Sequence, residues 1–240
     1  MDAIPWCVIH VPSYVIHVTS PLLYAGFVRC LQYVPPIPSN KAMIWCRRVH
    51  NLNLSFLSAL MFVLGFWGTS EEGKFRSVRS FLCGDYNNNW AMEISTTLFV
   101  WSKYIEWGDT LFLQLSARPI SWLQYTHHMS TAILAYVGYH RQQISPVGFV
   151  FVGSNTLIHI PMYWYFAYPN GFLRKYRQMI TVGQIVQHIF CLLVVLYIAL
   201  IDDCEQAEYS HLMAGMLYTM YLVFFVLFYI RSYIDSLKQS

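Results

Sequence analysis

An all-α polytopic membrane protein with seven transmembrane helices is the fold this sequence predicts. Of its 240 residues, 56% are hydrophobic and 18% aromatic, and only 11% are charged, against about 25% in an ordinary soluble domain. Apolar runs of about 20 residues recur, the length that crosses roughly 30 Å of hydrocarbon at 1.5 Å per residue. The polar residues inside these runs fall at helical spacings, as expected of groups facing a bundle interior. The chain reads as a single transmembrane domain over residues 1–240, with mean hydropathy +0.40. A net charge of +3 and the lack of a basic run interleaved with aromatics speak against nucleic acid as a partner.

The first span, about 13–31, is the weakest, because Pro12, His17, Thr19 and Pro21 interrupt it; without it six spans remain and the N-terminus changes sides. The second, about 51–68, follows a basic segment holding Lys41, Arg47 and Arg48. The third, about 90–115, carries Lys103, Glu106 and Asp109. The fourth, about 119–139, carries Gln124, His127 and His128 at i, i+3 and i+4, and the fifth, about 145–168, carries Asn155, His159, Tyr163 and Tyr165. The sixth, about 178–201, carries Gln184, Gln187 and His188, and the seventh runs over about 211–231. No charged leader with a small-residue cleavage site precedes the first apolar stretch, so that stretch is expected to be retained.

Orientation follows from Lys and Arg in the connections. One side receives Arg29, Lys41, Arg47, Arg48, Arg118, Arg174, Lys175, Arg177, Arg231 and Lys238; the other receives Lys74, Arg76, Arg79 and Arg141 together with the acidic loop Asp202, Asp203, Glu205, Glu208. The richer side is the expected cytosolic side, and it includes the C-terminus. Cys83 and Cys204 then fall together on the oxidising side, where a disulfide between them is expected. The Asn53-Leu54-Ser55 sequon falls on the cytosolic side and is expected to carry no sugar.

Helix rise places the polar residues in depth. Counted from the cytosolic side, His127 comes out at about 12 Å, His159 at about 14 Å, and Gln184 and Gln187 at roughly 9 and 14 Å. Asp109, Glu106 and Lys103 come out at roughly 9, 14 and 18 Å. Four helices deliver their unusual residues to one layer. Imidazole works as nucleophile or general base near neutral pH, and Lys103 can neutralise Glu106 or Asp109. A polar layer below the cytosolic face, closed beyond by Met, Phe and Tyr, suits a ligand with one reactive polar end and one long apolar tail, such as a fatty acyl thioester. Arg174, Lys175 and Arg177, with Lys41, Arg47 and Arg48, suit the phosphates of coenzyme A. Each motif also has a structural reading as hydrogen-bonding glue between helices or, for Tyr163 and Tyr165, as interfacial belt residues. For Lys103, Glu106 and Asp109, holding helices together is the favoured one.

The motifs in series resemble those of the ELO fatty acid elongases, membrane 3-ketoacyl-CoA synthases of the endoplasmic reticulum. Lys103-Tyr-Ile-Glu106-Trp-Gly-Asp109-Thr110 matches their KxxExxDT motif, and Gln124-Tyr-Thr-His127-His128 their HxxHH box. His159-Ile-Pro-Met162-Tyr163-Trp-Tyr165-Phe166 matches HxxMYxYY, and Thr181-Val-Gly-Gln184-Ile-Val-Gln187 matches TxxQxxQ. His50-Asn51-Leu-Asn-Leu-Ser55 looks like the family's entry into the second span. Three departures stand out: Gln124 replaces a histidine, Phe166 a tyrosine, and His188 a residue that is commonly apolar.

The resemblance implies that spans two to seven form two inverted three-helix units around an acyl tunnel. It implies condensation of a long-chain acyl-CoA with malonyl-CoA to a 3-ketoacyl-CoA two carbons longer, with release of carbon dioxide and coenzyme A. His127 is the expected nucleophile, His128 its orienting or deprotonating neighbour, and His159 an assistant in decarboxylation. Asn155, Gln184 and Gln187 are expected hydrogen-bond donors to developing oxyanions; Gln124 and Tyr163 are expected to contact substrate. No metal or other cofactor is expected beyond the two CoA substrates. Expected partners are membrane lipids, the ketoacyl reductase, dehydratase and enoyl reductase of the elongation cycle, and a second copy of the chain as homodimer. Phe62, Trp67, Phe149 and Phe151 are candidates for closing the lumenal end of the tunnel. A di-iron desaturase or hydroxylase is the rival enzyme class, but it needs about eight clustered histidines, and only His127 and His128 cluster here. A seven-span receptor or transporter is the non-enzymatic rival.

Overall fold

The computed structural model describes residues 13–37, 40–71, 76–83, 89–140, 146–200 and 208–235. Among these residues every regular element is helical. They are α1 (Ser13–Leu31), α2 (Lys41–Glu71), α3 (Val78–Cys83), α4 (Trp90–Ile105), α5 (Trp107–Leu115), α6 (Trp122–His140), α7 (Pro146–Ala167), α8 (Arg177–Ala199) and α9 (Glu208–Tyr229). A 3-10 turn, Phe172–Tyr176, leads into α8, and a π turn, Ile230–Ile234, ends α9.

Among the described residues three helices are long and apolar enough to cross a membrane, Lys41–Glu71, Phe172–Ala199 and Leu212–Ile234, and Val15–Leu31 is a shorter apolar helix. The chain is a membrane protein. Pro21 and Pro161 lie inside α1 and α7, as helices of membrane proteins tolerate when neighbouring helices meet the freed backbone groups. His17, which weakens the first span as a sequence pattern, is buried: its Nδ1 lies 2.7 Å from the Tyr104 hydroxyl and its ring stacks on Tyr136 at 4.2 Å.

Two boundaries differ from the sequence reading. Helix α2 begins ten residues before the apolar run, because Asn40 Oδ1 accepts the Met43 N–H at 2.8 Å and caps it. The stretch read as one span over 90–115 is two helices meeting at Glu106. There the Asp109 N–H reaches back only three residues to the Glu106 carbonyl, at 3.0 Å, and the turn tightens.

The helices close into a ring. α2 packs on α4, α4 on α6, α6 on α9, α9 on α8, α8 on α7, and α7 returns to α2, while α1 lies outside against α6. Small residues allow the closest approaches. A side chain at Gly65 would strike the Phe149 ring, and a Cβ on Gly68 would fall 2.6 Å from Asn89 Oδ1 and 2.7 Å from Met92 Cγ. Of the four candidates for closing the tunnel, Phe149 is buried against Met92, and Phe151 packs against Tyr218 with ring centroids 4.9 Å apart. Trp67 instead faces outward, and Phe62 stacks on the exposed Phe66. The expected bridge between Cys83 and Cys204 lies outside the described residues, as do the acidic loop and the C-terminal residues 236–240.

A histidine-lined cavity as candidate active site

Helical periodicity puts Gln124, His127 and His128 on one face of α6, Asn155, His159 and Tyr163 on one face of α7, and Gln184, Gln187 and His188 on one face of α8. With residues of α2, α5 and α9 these faces line one cavity of about 440 Å³. Glu106, Asp109 and Tyr165 line it as well, as do Arg47 and Arg118. Lys103 does not; it is buried behind the wall.

The buried ion pair explains that position. Lys103 Nζ donates to Glu106 Oε1 at 2.7 Å and to Asn155 Oδ1 at 3.2 Å, and lies 4.1 Å from the centre of the Phe99 ring. Lys103 is 2% exposed and Glu106 1%, so neither charge has water to fall back on; the pair lies within one helical turn, and the bond from Lys103 to Asn155 ties α4 to α7. Glu106 Oε1 also faces His159 Nδ1 at 3.7 Å, while Asn155 Nδ2 donates to His159 Nε2 at 3.2 Å. The tautomer that suits both neighbours carries its proton on Nδ1, turned toward the carboxylate.

Asp109 is held from two sides. His50 Nε2 lies 3.0 Å from Oδ1, and the Tyr163 hydroxyl donates to Oδ2 at 3.1 Å. A Cβ on Gly108 would sit 2.6 Å from His50 Cε1, so the absent side chain lets the imidazole reach Asp109. His50 supports the site through Asp109; its signal in the sequence is its place beside Asn51, which lines the cavity.

On α6, the His127 ring lies 5.0 Å from Tyr221 and 5.6 Å from His128. Tyr221 is fixed by a 2.6 Å hydrogen bond between its hydroxyl and Ser130 Oγ. Trp107 Nε1 donates to the His128 carbonyl at 3.3 Å. Gln124 Nε2 donates to Thr110 Oγ1 at 3.3 Å, and that oxygen also meets the Tyr24 hydroxyl at 2.8 Å. Gln124 is therefore anchored to α5, as its neutral amide permits. On α8, His188 Nδ1 donates to the Gln184 carbonyl at 2.6 Å and Gln184 Nε2 reaches Met162 Sδ at 3.2 Å. Two buried atoms beside the cavity, Glu106 Oε2 and His128 Nδ1, have no hydrogen-bond partner among the described residues.

Arg174, Lys175 and Arg177 sit on the 3-10 turn and the first residue of α8, exposed, and are not among the lining residues. Lys175 lies over the Tyr176 ring at 4.8 Å and Arg177 over the Tyr233 ring at 5.9 Å. The cationic groups that do line the cavity are Arg47 and Arg118. Among the described residues no group of three or more His, Cys, Asp or Glu side chains is placed to hold a metal ion.

A model of the ELO family, described as GNS1/SUR4, matches residues 10–240. The chain belongs to the ELO family. This ELO protein is 25% identical over 237 residues to fatty acid elongase sre1 of Dictyostelium discoideum, a match covering 95% of this chain and 85% of that one. It is 31% identical over 170 residues to very long chain fatty acid elongase 6 of Mus musculus, covering 68% of this chain and 61% of the relative. It is 30% identical over 156 residues to fatty acid elongase 2 of Trypanosoma brucei brucei, covering 60% and 57%. Within the ELO protein, the four motifs quoted from the sequence are the segments that supply α5, α6, α7 and α8 to the cavity wall.

Proposed function

We propose that this cavity is where the ELO protein elongates fatty acids, joining a long-chain acyl-CoA to malonyl-CoA through an acyl-histidine intermediate. Fatty acid elongation itself rests on family membership and on the shared description of the relatives. The observation that carries the mechanism is that His127 and His128 from α6 and His159 from α7 line one cavity.

In the first step an unprotonated His127 nitrogen attacks the thioester carbonyl. The carbon–sulfur bond breaks, coenzyme A leaves as thiolate, and the imidazole proton passes to it through His128. The acyl-imidazole holds the chain while the second substrate enters, which splits one difficult step into two. Malonyl-CoA then loses carbon dioxide, and the electron pair of the broken carbon–carbon bond forms an enolate. That carbon attacks the acyl carbonyl, the carbon–nitrogen bond breaks, and the imidazole nitrogen of His127 takes up a proton through His128 from solvent, the one proton that the condensation consumes overall. The amides of Asn155, Gln184 and Gln187 stabilise the malonyl-derived enolate as donors, and His159, held between Glu106 and Asn155, assists the decarboxylation. Gln124 and Tyr163 position substrate in the cavity wall. Glu106 and Asp109 hold that wall in shape, as does Lys103 from behind it.

The seven-span topology, with α2, α4/α5 and α6 as one three-helix unit and α7, α8 and α9 as its inverted counterpart, belongs to the same proposal. The order of packing around the ring supports it, since each unit is contiguous there. The basic residues set the cavity mouth and the C-terminus toward the cytosol, in the endoplasmic reticulum membrane. The reaction needs no metal. Its product suits a ketoacyl reductase, followed by a dehydratase and an enoyl reductase; a homodimer is part of the proposal too.

His127→Ala is the direct test. It removes the nucleophile, and condensation measured by malonyl-CoA-dependent extension in microsomes should vanish while expression persists. Activity at the wild-type level would end the acyl-histidine mechanism.

A further inference from the structure

We infer that His50 and Asp109 form a proton relay at the edge of the cavity, and that it delivers to His128 the proton which the condensation consumes. The inference rests on the reading of the cavity as the acyl-transfer site.

The chemistry sets the demand. Acyl transfer needs no outside proton, since the one that His127 gives up leaves with coenzyme A. Condensation does need one, because the nitrogen released when the carbon–nitrogen bond breaks is left basic and no other bond change in that step frees a proton. His128 is buried, and its Nδ1 has no hydrogen-bond partner among the described residues, so it gains its proton from a neighbour rather than from bulk water.

Two carboxylates line the cavity, and they differ in what neutralises them. Glu106 is held by Lys103 at 2.7 Å, and an ammonium does not ordinarily exchange its proton near neutral pH. Asp109 has no lysine or arginine within ion-pair distance among the described residues; its partner is His50, whose Nε2 lies 3.0 Å from Oδ1. Imidazole is the side chain that gains and loses a proton in that range. The pair is also the wetter of the two histidine–carboxylate contacts among the described residues, with side chains 14% and 17% exposed against 8% and 2% for His159 and Glu106. His50 stands just before the apolar run of α2, and its neighbour Asn51 lines the cavity.

The inner end of the relay is fixed by two hydrogen bonds between α5 and α6. Trp107 Nε1 donates to the His128 carbonyl and Gln124 Nε2 to Thr110 Oγ1, each at 3.3 Å. They hold residues 107–110 against 124–128, with Asp109 in one stretch and His128 in the other, and Asp109 is near enough for its charge to act on His128. The second carboxylate oxygen accepts the Tyr163 hydroxyl at 3.1 Å, which sets the rotation of the group. Around the pair stand Tyr163 of α7, Arg47 one turn before His50, and Glu106 with Lys103, side chains that do not ordinarily change protonation near neutral pH. In the relay His50, loaded from solvent as imidazolium, gives its Nε2 proton to Asp109 Oδ1. Asp109 passes a proton to His128 directly or through one water. His128 gives the proton of its other ring nitrogen to the freed nitrogen of His127, and His50 reloads from solvent, so that one proton enters and one N–H bond forms.

The experiment uses the purified full-length protein in lipid nanodiscs, with the two half-reactions read separately. His50→Gln keeps an N–H toward Asp109 but cannot carry a proton across. Release of coenzyme A from acyl-CoA in the absence of malonyl-CoA should keep its wild-type rate, whereas kcat for malonyl-CoA-dependent extension should fall about tenfold or more, with KM for malonyl-CoA unchanged. In His50→Ala the same loss should be partly restored by imidazole in the buffer and not by pyrazole, which has the same shape but is far less basic. An unchanged kcat in His50→Gln overturns the relay. Equal slowing of coenzyme A release, or equal rescue by pyrazole, overturns it in favour of a packing role. If the His50 variants fail to fold, Gly108→Ala, which displaces the imidazole while keeping it, carries the test through the same split between half-reactions. A wild-type protein that neither releases coenzyme A from acyl-CoA nor extends the chain would instead overturn the elongation reading, and with it the demand for the proton.

Discussion

Replacing Lys103 with Met strips Glu106 of its counter-ion at a position where the carboxylate is 1% exposed. The ammonium is its closest partner, at 2.7 Å; Ser102 Oγ, at 3.4 Å, is a weak substitute, and Oε2 already has no partner. Leaving one member of a buried pair alone costs about 3–5 kcal/mol. For a chain of this size each kcal/mol corresponds to about 2–4 °C in Tm, so Lys103→Met should melt about 6–20 °C below the wild type. Replacing both partners, Lys103→Met with Glu106→Gln, removes the stranded charge and should return most of that loss. The assay is thermal unfolding of detergent-solubilised protein followed by tryptophan fluorescence or size-exclusion recovery, with all four members of the double-mutant cycle in one buffer. A single variant melting within a degree or two of the wild type would show that the buried pair does not support the fold. A double variant as unstable as the sum of the singles would remove the coupling.

Two further substitutions probe the site's supports. Gly108→Ala places a Cβ 2.6 Å from His50 Cε1 and should push the imidazole off Asp109; we expect a fall in condensation rate with normal expression, and unchanged kinetics would refute the contact. Ala117→Gly relieves a left-handed residue of its Cβ and should stabilise the protein by about 1 kcal/mol, read as a rise in Tm of about 2–4 °C. A lower Tm would mean that the turn needs the alanine side chain.

Sequence periodicity alone determined a great deal here. Apolar runs of membrane length announced the helices, and polar residues spaced by three and four fixed which faces of α6, α7 and α8 would turn inward, because 3.6 residues per turn leaves little choice. Depth counted by helix rise grouped His127, His159, Gln187 and Glu106, all of which line one cavity. The motif order pointed to the ELO family.

What periodicity did not supply is which groups pair across helices. Lys103 is drawn behind the wall because Glu106 and Asn155 wait there, and His50 reaches Asp109 only because residue 108 has no side chain. The break at Glu106 and the capped turn that presents Arg118 arise from backbone hydrogen bonds, and hydropathy carries no record of those. Charge counts likewise grouped Arg174, Lys175 and Arg177 with Lys41, Arg47 and Arg48; of these only Arg47 lines the cavity, where it is joined by Arg118, 71 positions further along the sequence. Local spacing is written along one helix, but a site is made where several helices meet, and only their packing in three dimensions decides that.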